Sequence, residues 1–432
     1  MYDEKEVAIM LKEIPGGVCA AKGFRASGVR CGVKSKTGSG DGNQPVVPSM
    51  KDYLTGKKDL AMILSDCECS AAAVSTRNRV KAAPIYVTMG NLEDGVCRGV
   101  VANSGNANAC APMSHENAER MCALAAQATG LKATDFVVAS TGVIGQELNI
   151  AAIERGMPAL VENLSGDGSA AAASAVMTTD TVKKETAVSL TIGGKPVTIG
   201  AIAKGSGMIH PNMGTMLCFI TTDCAITHEL LQDALHEIVP RTFNRVTVDG
   251  DTSTNDMCVV LANGMAGNPQ IEWRDDDFAL FCKALHQVCE TMARGIAADG
   301  EGASRLITCT VRNARGEDSA ERLAKAVVGS SLVKAAMYGA DANWGRVICA
   351  MGYSKAPFRP EYVDIKFSSI FGEVAVCEKG AGLDFDEELA KKILSQDEVV
   401  IDVSLNEGSY AATCWGCDLT YDYVKINGDY RT

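Results

Sequence analysis

Residues 186–223, TAVSLTIGGKPVTIGAIAKGSGMIHPNMGTMLCFITTD, decide how the chain is read. Two alternating apolar and polar runs, 186–192 and 196–203, flank Gly193 and Gly194. That pattern predicts an antiparallel hairpin closed by a turn that needs positive φ. A glycine-rich loop follows, and then TMLCFITT, an apolar run short enough for a buried strand rather than a helix. A hairpin beside a buried strand breaks the βαβ rhythm of a doubly wound sheet, so the stretch predicts an α+β fold built in layers.

The same reading extends outward. VCRGVVANSG (96–105), DFVVAS (135–140), RVTVDGD (245–251), RLITCTV (305–311), RVICAMGY (346–353) and VVIDVSL (399–405) read as strands. Apolar residues at helical spacing predict helices over 114–129, 150–164, 168–177, 230–239, 278–296 and 320–336. Residues 35–48, SKTGSGDGNQPVVP, look most loop-like. Their glycines suggest a phosphate cradle, but no GK[ST] opens a helix after them, so they read as a surface loop.

Composition bounds the function. The chain has 432 residues, 47% of them apolar and 22% charged, with a net charge of −12. Length allows about two or three domains. The acidic balance argues against a nucleic-acid surface. No run of about 18 apolar residues predicts a membrane span. The opening MYDEKEVAIMLKEIPGG lacks the apolar segment of a secretory signal, so a soluble, cytoplasmic protein is expected. The seventeen cysteines are odd in number and mostly in apolar contexts, which suits small buried hydrophobes in a reducing compartment. Cys414 and Cys417 form a lone CxxC without the second ligand pair that a structural zinc site needs.

The chemistry concentrates around Gly214 and Thr215. A threonine at the entry of a buried strand, preceded by glycine, suits self-cleavage. Its hydroxyl attacks the preceding carbonyl, the acyl group shifts from N to O, and water releases a new N-terminus. The freed residue carries a hydroxyl beside an α-amine of reference pKa near 8, the arrangement of an N-terminal threonine nucleophile. On spacing alone, Thr215 reads first as an ordinary β-branched strand residue. His210, five residues earlier, is tempting as a general base, yet the α-amine makes it unnecessary; Asn212 reads as loop-shaping. Asp249, Asp251 and Asp256 raise a metal site, whereas VDGD itself reads as a strand leaving for a turn.

This region resembles the signature of the ornithine acetyltransferases, also called glutamate N-acetyltransferases, of arginine biosynthesis. Ordered blocks carry the resemblance along almost the whole chain: GGVCAAKGFRASGVR (16–30), KDLAMILSD (58–66), TRNRVKAAP (76–84), ANSGNANAC (102–110), STGVIGQ (140–146) and MTTDT (177–181). KGSGMIHPNMGTML (204–217), VDGDTSTND (248–256), DGEGASRL (299–306), GADANWGR (339–346) and NGDYRT (427–432) continue it. The resemblance implies cleavage between Gly214 and Thr215 into a 1–214 α-fragment and a 215–432 β-fragment. Family members more usually carry Ala where this chain has Gly214.

It further implies Thr215 as nucleophile and Thr141 with Gly142 as the oxyanion hole. Thr178, Lys204, Thr215, Glu301, Asn427 and Thr432 are the implied substrate contacts. The reaction implied is acetyl transfer from N²-acetylornithine to L-glutamate, with no cofactor and no metal; acetyl-CoA is a possible second donor. A related amidohydrolase or aminopeptidase is the alternative. The implied fold is a layered α/β/β/α sandwich with a smaller C-terminal portion, its two fragments held as a heterodimer that pairs into a heterotetramer or larger assembly.

Overall fold

The computed structural model describes residues 11–33, 56–210 and 216–428. The 35–48 loop, Asn212, Gly214, Thr215 and Thr432 lie outside the described residues.

The first part of the chain runs β1 (Lys12–Glu13), β2 (Phe24–Val29), β3 (Leu60–Ser75), α1 (Ala83–Asn91), β4 (Val96–Asn106), α2 (Ser114–Thr129), β5 (Phe136–Val143), α3 (Ile150–Glu162) and α4 (Ser169–Val176). Next come β6 (Lys184–Ile192), β7 (Lys195–Lys204), β8 (Leu217–Thr222), α5 (His228–Ile238), β9 (Val246–Thr247), β10 (Met257–Ala262) and α6 (Asp276–Ala298). The last part is β11 (Leu306–Ala314), α7 (Glu317–Gly329), α8 (Ser331–Tyr338), α9 (Trp344–Gly352), β12 (Asp364–Ser369), β13 (Gly372–Glu378), β14 (Ala381–Gly382), α10 (Glu387–Leu394), β15 (Glu398–Ser404), β16 (Tyr410–Cys417) and α11 (Tyr421–Gly428).

Nine strands form one sheet in the order β1-β6-β7-β8-β10-β3-β4-β5, with β2 paired to β3. The hairpin read from the sequence is β6–β7, in full antiparallel register from Lys184 opposite Ala203 to Ile192 opposite Lys195. Gly193 and Gly194 have φ of 53° and 74°, and a Cβ on Gly193 would meet Pro269 Cδ at 2.4 Å, so that corner requires glycine.

The sheet makes two layers because β3 is sixteen residues long and shifts register between Leu64 and Cys69. Its first half pairs with β2 and its second half with β10. Side chains alternate, so each layer has two apolar faces. One buried cluster joins the inner faces: Ile63, Val100, Ala102, Val137 and Ala139 meet Ile202, Leu217, Phe219 and Val259, with Ala172 and Val176 of α4. The outer faces pack under α1, α2 and α3 on one side and under α5 and α6 on the other. The result is the layered α/β/β/α sandwich. A seven-stranded sheet, β14-β13-β12-β15-β11-β16-β9, covered by α7–α10, makes the smaller C-terminal portion. No helix among the described residues is long and apolar enough to cross a membrane.

Three local readings change. Residues 346–352 are helical, not a strand: Asn343 Oδ1 accepts from Arg346 N at 3.2 Å, and Val347, Ala350 and Met351 form one buried face at i, i+3 and i+4. The 320–336 helix is two helices, broken at Ser330, whose Oγ accepts from Val333 N and caps α8. Of 245–251, only Val246–Thr247 is a strand. All seventeen cysteines are free thiols and twelve are buried. Cys414 and Cys417 sit in β16, in two different apolar clusters.

Candidate active site

The alternation that builds the layers also aims two polar side chains at one spot. On β5, Val137 and Ala139 point between the layers, and Thr141 continues that face at the strand's end. On β7, Ile202 points between the layers, and Lys204 ends the strand on the same face. Lys204 is therefore aimed away from solvent. It is buried, and its Nζ donates to Thr141 Oγ1 at 3.1 Å.

A cavity of about 120 Å³ opens there. Thr141, Gly142, Thr178, Lys204, Glu301 and Asn427 all line it. They come from the end of β5, the segment after α4, the end of β7, the loop after α6, and α11. Thus every described residue named from the sequence as a site residue reaches one pocket. Met216, which follows Thr215 in the chain, is buried, and its carbonyl accepts from Met257 N at 2.8 Å at the start of β10. His210 does not line the cavity. Its Nδ1 lies 3.0 Å from Thr247 Oγ1, and burial, with Lys325 nearby, pushes its pKa down to about 4. The imidazole is thus uncharged at neutral pH and a weak base.

The Thr141-Gly142 turn is held from behind. Gly142 has φ of 136°, and a Cβ there would come within 2.3 Å of the Gly105 carbonyl carbon, so only glycine fits against β4. Asn255 Nδ2 donates to both the Ser140 and Ala107 carbonyls, at 2.8 and 2.7 Å. Thr254 Oγ1 fixes the Asn255 amide at 2.6 Å. Because Lys204 donates to Thr141 Oγ1, that hydroxyl keeps its own hydrogen for another acceptor. The arrangement can present a hydroxyl donor to a developing oxyanion.

The opposite wall carries charge. Asn427 Nδ2 donates to Glu301 Oε2 at 2.7 Å, which ties α11 to the pocket. Gly207 lies under Glu301: a Cβ on Gly207 would sit 2.3 Å from the Glu301 carboxyl carbon. Burial lowers the Lys204 pKa, against Asp180, Asp256 and Glu301, which raise it. Asp256 is buried, its Oδ2 has no hydrogen-bond partner among the described residues, and burial pushes its pKa well up despite Ser253 and Lys204. Asp249 holds the loop entering this region, accepting from Met208 N and Ile209 N at 2.7 and 2.9 Å.

Sequence reasoning passed over Asn255, Gly207 and Asp180 as functional residues, although each lies in a quoted block. It raised a metal at Asp249, Asp251 and Asp256, set it aside and read VDGD as a strand leaving for a turn; Asp249 there holds the loop and Asn255 the turn. Among the described residues no group of three or more His, Cys, Asp or Glu could hold a metal.

The family model described as the ArgJ family matches residues 47–432. The chain is 49% identical to the arginine biosynthesis bifunctional protein ArgJ of Symbiobacterium thermophilum over 420 residues, 97% of this chain and 99% of that one. It is 48% identical to the arginine biosynthesis bifunctional protein ArgJ 1 of Clostridium acetobutylicum over 410 residues, 95% of this chain and 96% of that one. A crystal structure of arginine biosynthesis bifunctional protein argJ from Bacillus halodurans is 49% identical, covers 49% of this chain and 97% of its own, and superposes with a TM-score of 0.47.

Proposed function

The chain belongs to the ArgJ family of arginine-biosynthesis enzymes, the ornithine acetyltransferases, and on that premise we propose that it moves acetyl from N²-acetylornithine to glutamate through an ester on Thr215. In this reading the chain first cuts itself between Gly214 and Thr215. The Thr215 hydroxyl then attacks the acetyl carbonyl, and the Thr215 α-amine takes the hydroxyl proton. The Thr141 hydroxyl and the Gly142 N–H hold the oxyanion. The C–N bond breaks, ornithine leaves with the proton, and acetyl remains on the Thr215 oxygen. Glutamate's amine attacks that ester, its proton returns through the same α-amine, and N-acetylglutamate departs. Two half-reactions sharing one covalent intermediate give ping-pong kinetics. Amide is exchanged for amide, so the cycle needs no cofactor.

The observation that carries the reading is the single pocket in which Lys204, Thr141, Gly142, Thr178, Glu301 and Asn427 meet. Lys204 suits a substrate α-carboxylate, and Glu301 suits ornithine's side-chain ammonium. Thr432 completes the substrate contacts in this proposal. The two fragments stay together as a heterodimer, pairs of which assemble into a heterotetramer or larger, in the cytoplasm. The name bifunctional, borne by the relatives, favours a second reading in which acetyl-CoA also donates acetyl to glutamate. Steady-state assay with acetyl-CoA and glutamate separates the two.

Intact-mass measurement of wild type beside Thr215→Ala tests the core proposal. Two fragments of 214 and 218 residues are expected from wild type, and one uncut, inactive chain from the variant. An uncut, fully active wild type would remove the α-amine mechanism. Hydrolysis of N²-acetylornithine without glutamate, and with no retained acetyl-enzyme, would favour the amidohydrolase alternative instead.

A further inference from the structure

Behind the pocket lies a buried ionic group that the proposed chemistry does not use. Lys184 Nζ sits 2.8 Å from Asp180 Oδ1 and 2.5 Å from Asp299 Oδ2, and all three side chains are almost fully enclosed. Asp299 also accepts from Thr181 N and from the Thr181 hydroxyl, so it is held by α6's end and by the segment after α4 together. A buried ion pair is by itself poor evidence of stability, because desolvation offsets the attraction. Its position therefore calls for another reason.

Asp180 touches both walls of the pocket through the backbone. Its Oδ2 accepts from Thr178 N at 3.1 Å, and its Oδ1 accepts from Gly205 N at 2.8 Å, one residue beyond Lys204. Thr178 and Lys204 both line the cavity. One carboxylate thus sets the spacing of two lining residues from separate elements. It is also the carboxylate that most favours the Lys204 cation, ahead of Asp256 and Glu301, while Lys184 opposes it. Burial alone would raise the Asp180 pKa, yet Lys204 and Lys184 together hold it down to about 2.

We propose that Asp180 is a positioning residue for acetyl transfer: it fixes Thr178 and Gly205 across the pocket and supplies the counter-charge that keeps Lys204 a cation, while Lys184, held between Asp180 and Asp299, keeps the carboxylate in place. The proposal rests on reading Lys204 as the cation that receives the substrate carboxylate. Asp180 does not line the acetyl-transfer cavity itself. It acts through Lys204 and Thr178.

The sign of the effect follows from charge. Removing the negative charge of Asp180 disfavours the ammonium form of Lys204, so Lys204 loses its proton at lower pH. Two measurements read this in the full-length protein. The first is competitive labelling of Lys204 with acetic anhydride across pH, followed by peptide mass spectrometry, which needs no enzyme activity. The second is the pH profile of kcat/KM for acetyl transfer. Asp180→Asn is expected to move the labelling midpoint and the alkaline limb to lower pH, and to lower kcat/KM about 10- to 100-fold, the scale of a small misplacement in a site.

Asp299→Asn makes the same isosteric change in the same buried group, but Asp299 holds Thr181 and Lys184 rather than Thr178 and Gly205; it should move both midpoints less than Asp180→Asn. Equal movement in both variants, or none in Asp180→Asn, would overturn the proposal. Should Asp180→Asn fail to fold, Asp180→Glu decides. It keeps the charge and shifts the carboxylate, so the midpoint should hold while KM rises about tenfold; an unchanged KM would overturn the proposal. A labelling shift in a protein that transfers no acetyl would instead sink the functional reading and leave the role of Asp180 standing.

Discussion

At Thr141 a hydroxyl has two partners to serve and only one hydrogen. Lys204 Nζ donates to it, so the hydrogen is left for whatever charge develops in the cavity. Thr141→Val keeps the shape and removes that donor. We expect kcat to fall about 10²- to 10³-fold, the usual loss for one oxyanion donor, with the melting temperature changed little. Steady-state kinetics beside a thermal melt checks it; a retained kcat would take Thr141 out of the oxyanion site. That Thr141, Gly142, Thr178, Lys204, Glu301 and Asn427 would gather in one pocket was legible only because each lies in a short block that carries the family resemblance. Their supports were not. Asp180, Lys184 and Asp299 form one group, yet Lys184 and Asp299 are 115 residues apart in the chain. Asn255 reaches back to Ser140 and Ala107 over a similar distance. Such pairings exist only once the sheet has brought β5, β7 and β10 to one end.

Elements were legible where period and caps agreed. The β6–β7 hairpin followed from its Gly193-Gly194 turn, and α2 from a helical stripe bounded by Gly130 with φ of 77°. RVICAMGY failed because a short run with Val, Ile, Ala and Met suits either period; the Asn343 cap, three residues before Arg346, carried the deciding signal. The segment before Thr215 gives an element-scale prediction. His210 is tied to the β9 region by Thr247, and its carbonyl accepts from Thr252 Oγ1 at 2.8 Å. Its folded pKa of about 4 lies below the ordinary value of 6.5 for histidine, chiefly through burial. The unfolded chain therefore binds the proton more readily. The stability contributed by the neutral ring is present above about pH 6.5 and is lost as pH falls toward 4. Replacing it by His210→Gln should leave the stability of the protein less sensitive to pH across that window. Urea midpoints at pH 7 and 4.5 measure it; equal slopes in wild type and variant would refute the assignment.

At the scale of the molecule, the point of proposed cleavage does not coincide with the division between sheets. The seven-stranded sheet starts at β9 and holds only residues after 215, but the nine-stranded sheet draws strands from both sides of that point. β8 and β10 follow Thr215, and they lie between β7 and β3, which precede it. β7 pairs with β8 from Ile199 opposite Thr222 to Lys204 opposite Leu217, and β10 pairs with β3 from Met257 opposite Ser75 to Ala262 opposite Ser70. The interlayer cluster is shared too: Leu217, Phe219 and Val259 from the later part pack with Ile63, Val100 and Val137 from the earlier part. Separating the two parts would break two strand ladders, leave four strand edges open and expose one apolar core at once, with buried backbone groups left unpaired. The proposed 214- and 218-residue fragments should therefore behave as one folded body after the cut. Size-exclusion chromatography of wild type, diluted well below micromolar, should give one peak that contains both fragments in equal amounts, and only denaturant should part them. A fragment of either size eluting alone under native conditions would mean that the interleaved strands do not hold the molecule together. The net charge of −12 lies in the later part, −13 over residues 215–432 against +1 over 1–214, so net charge does not drive the two parts apart. The peak should persist at high ionic strength, where any attraction between the two parts is screened, because the binding lies in the strand pairing and the apolar core rather than in surface charge.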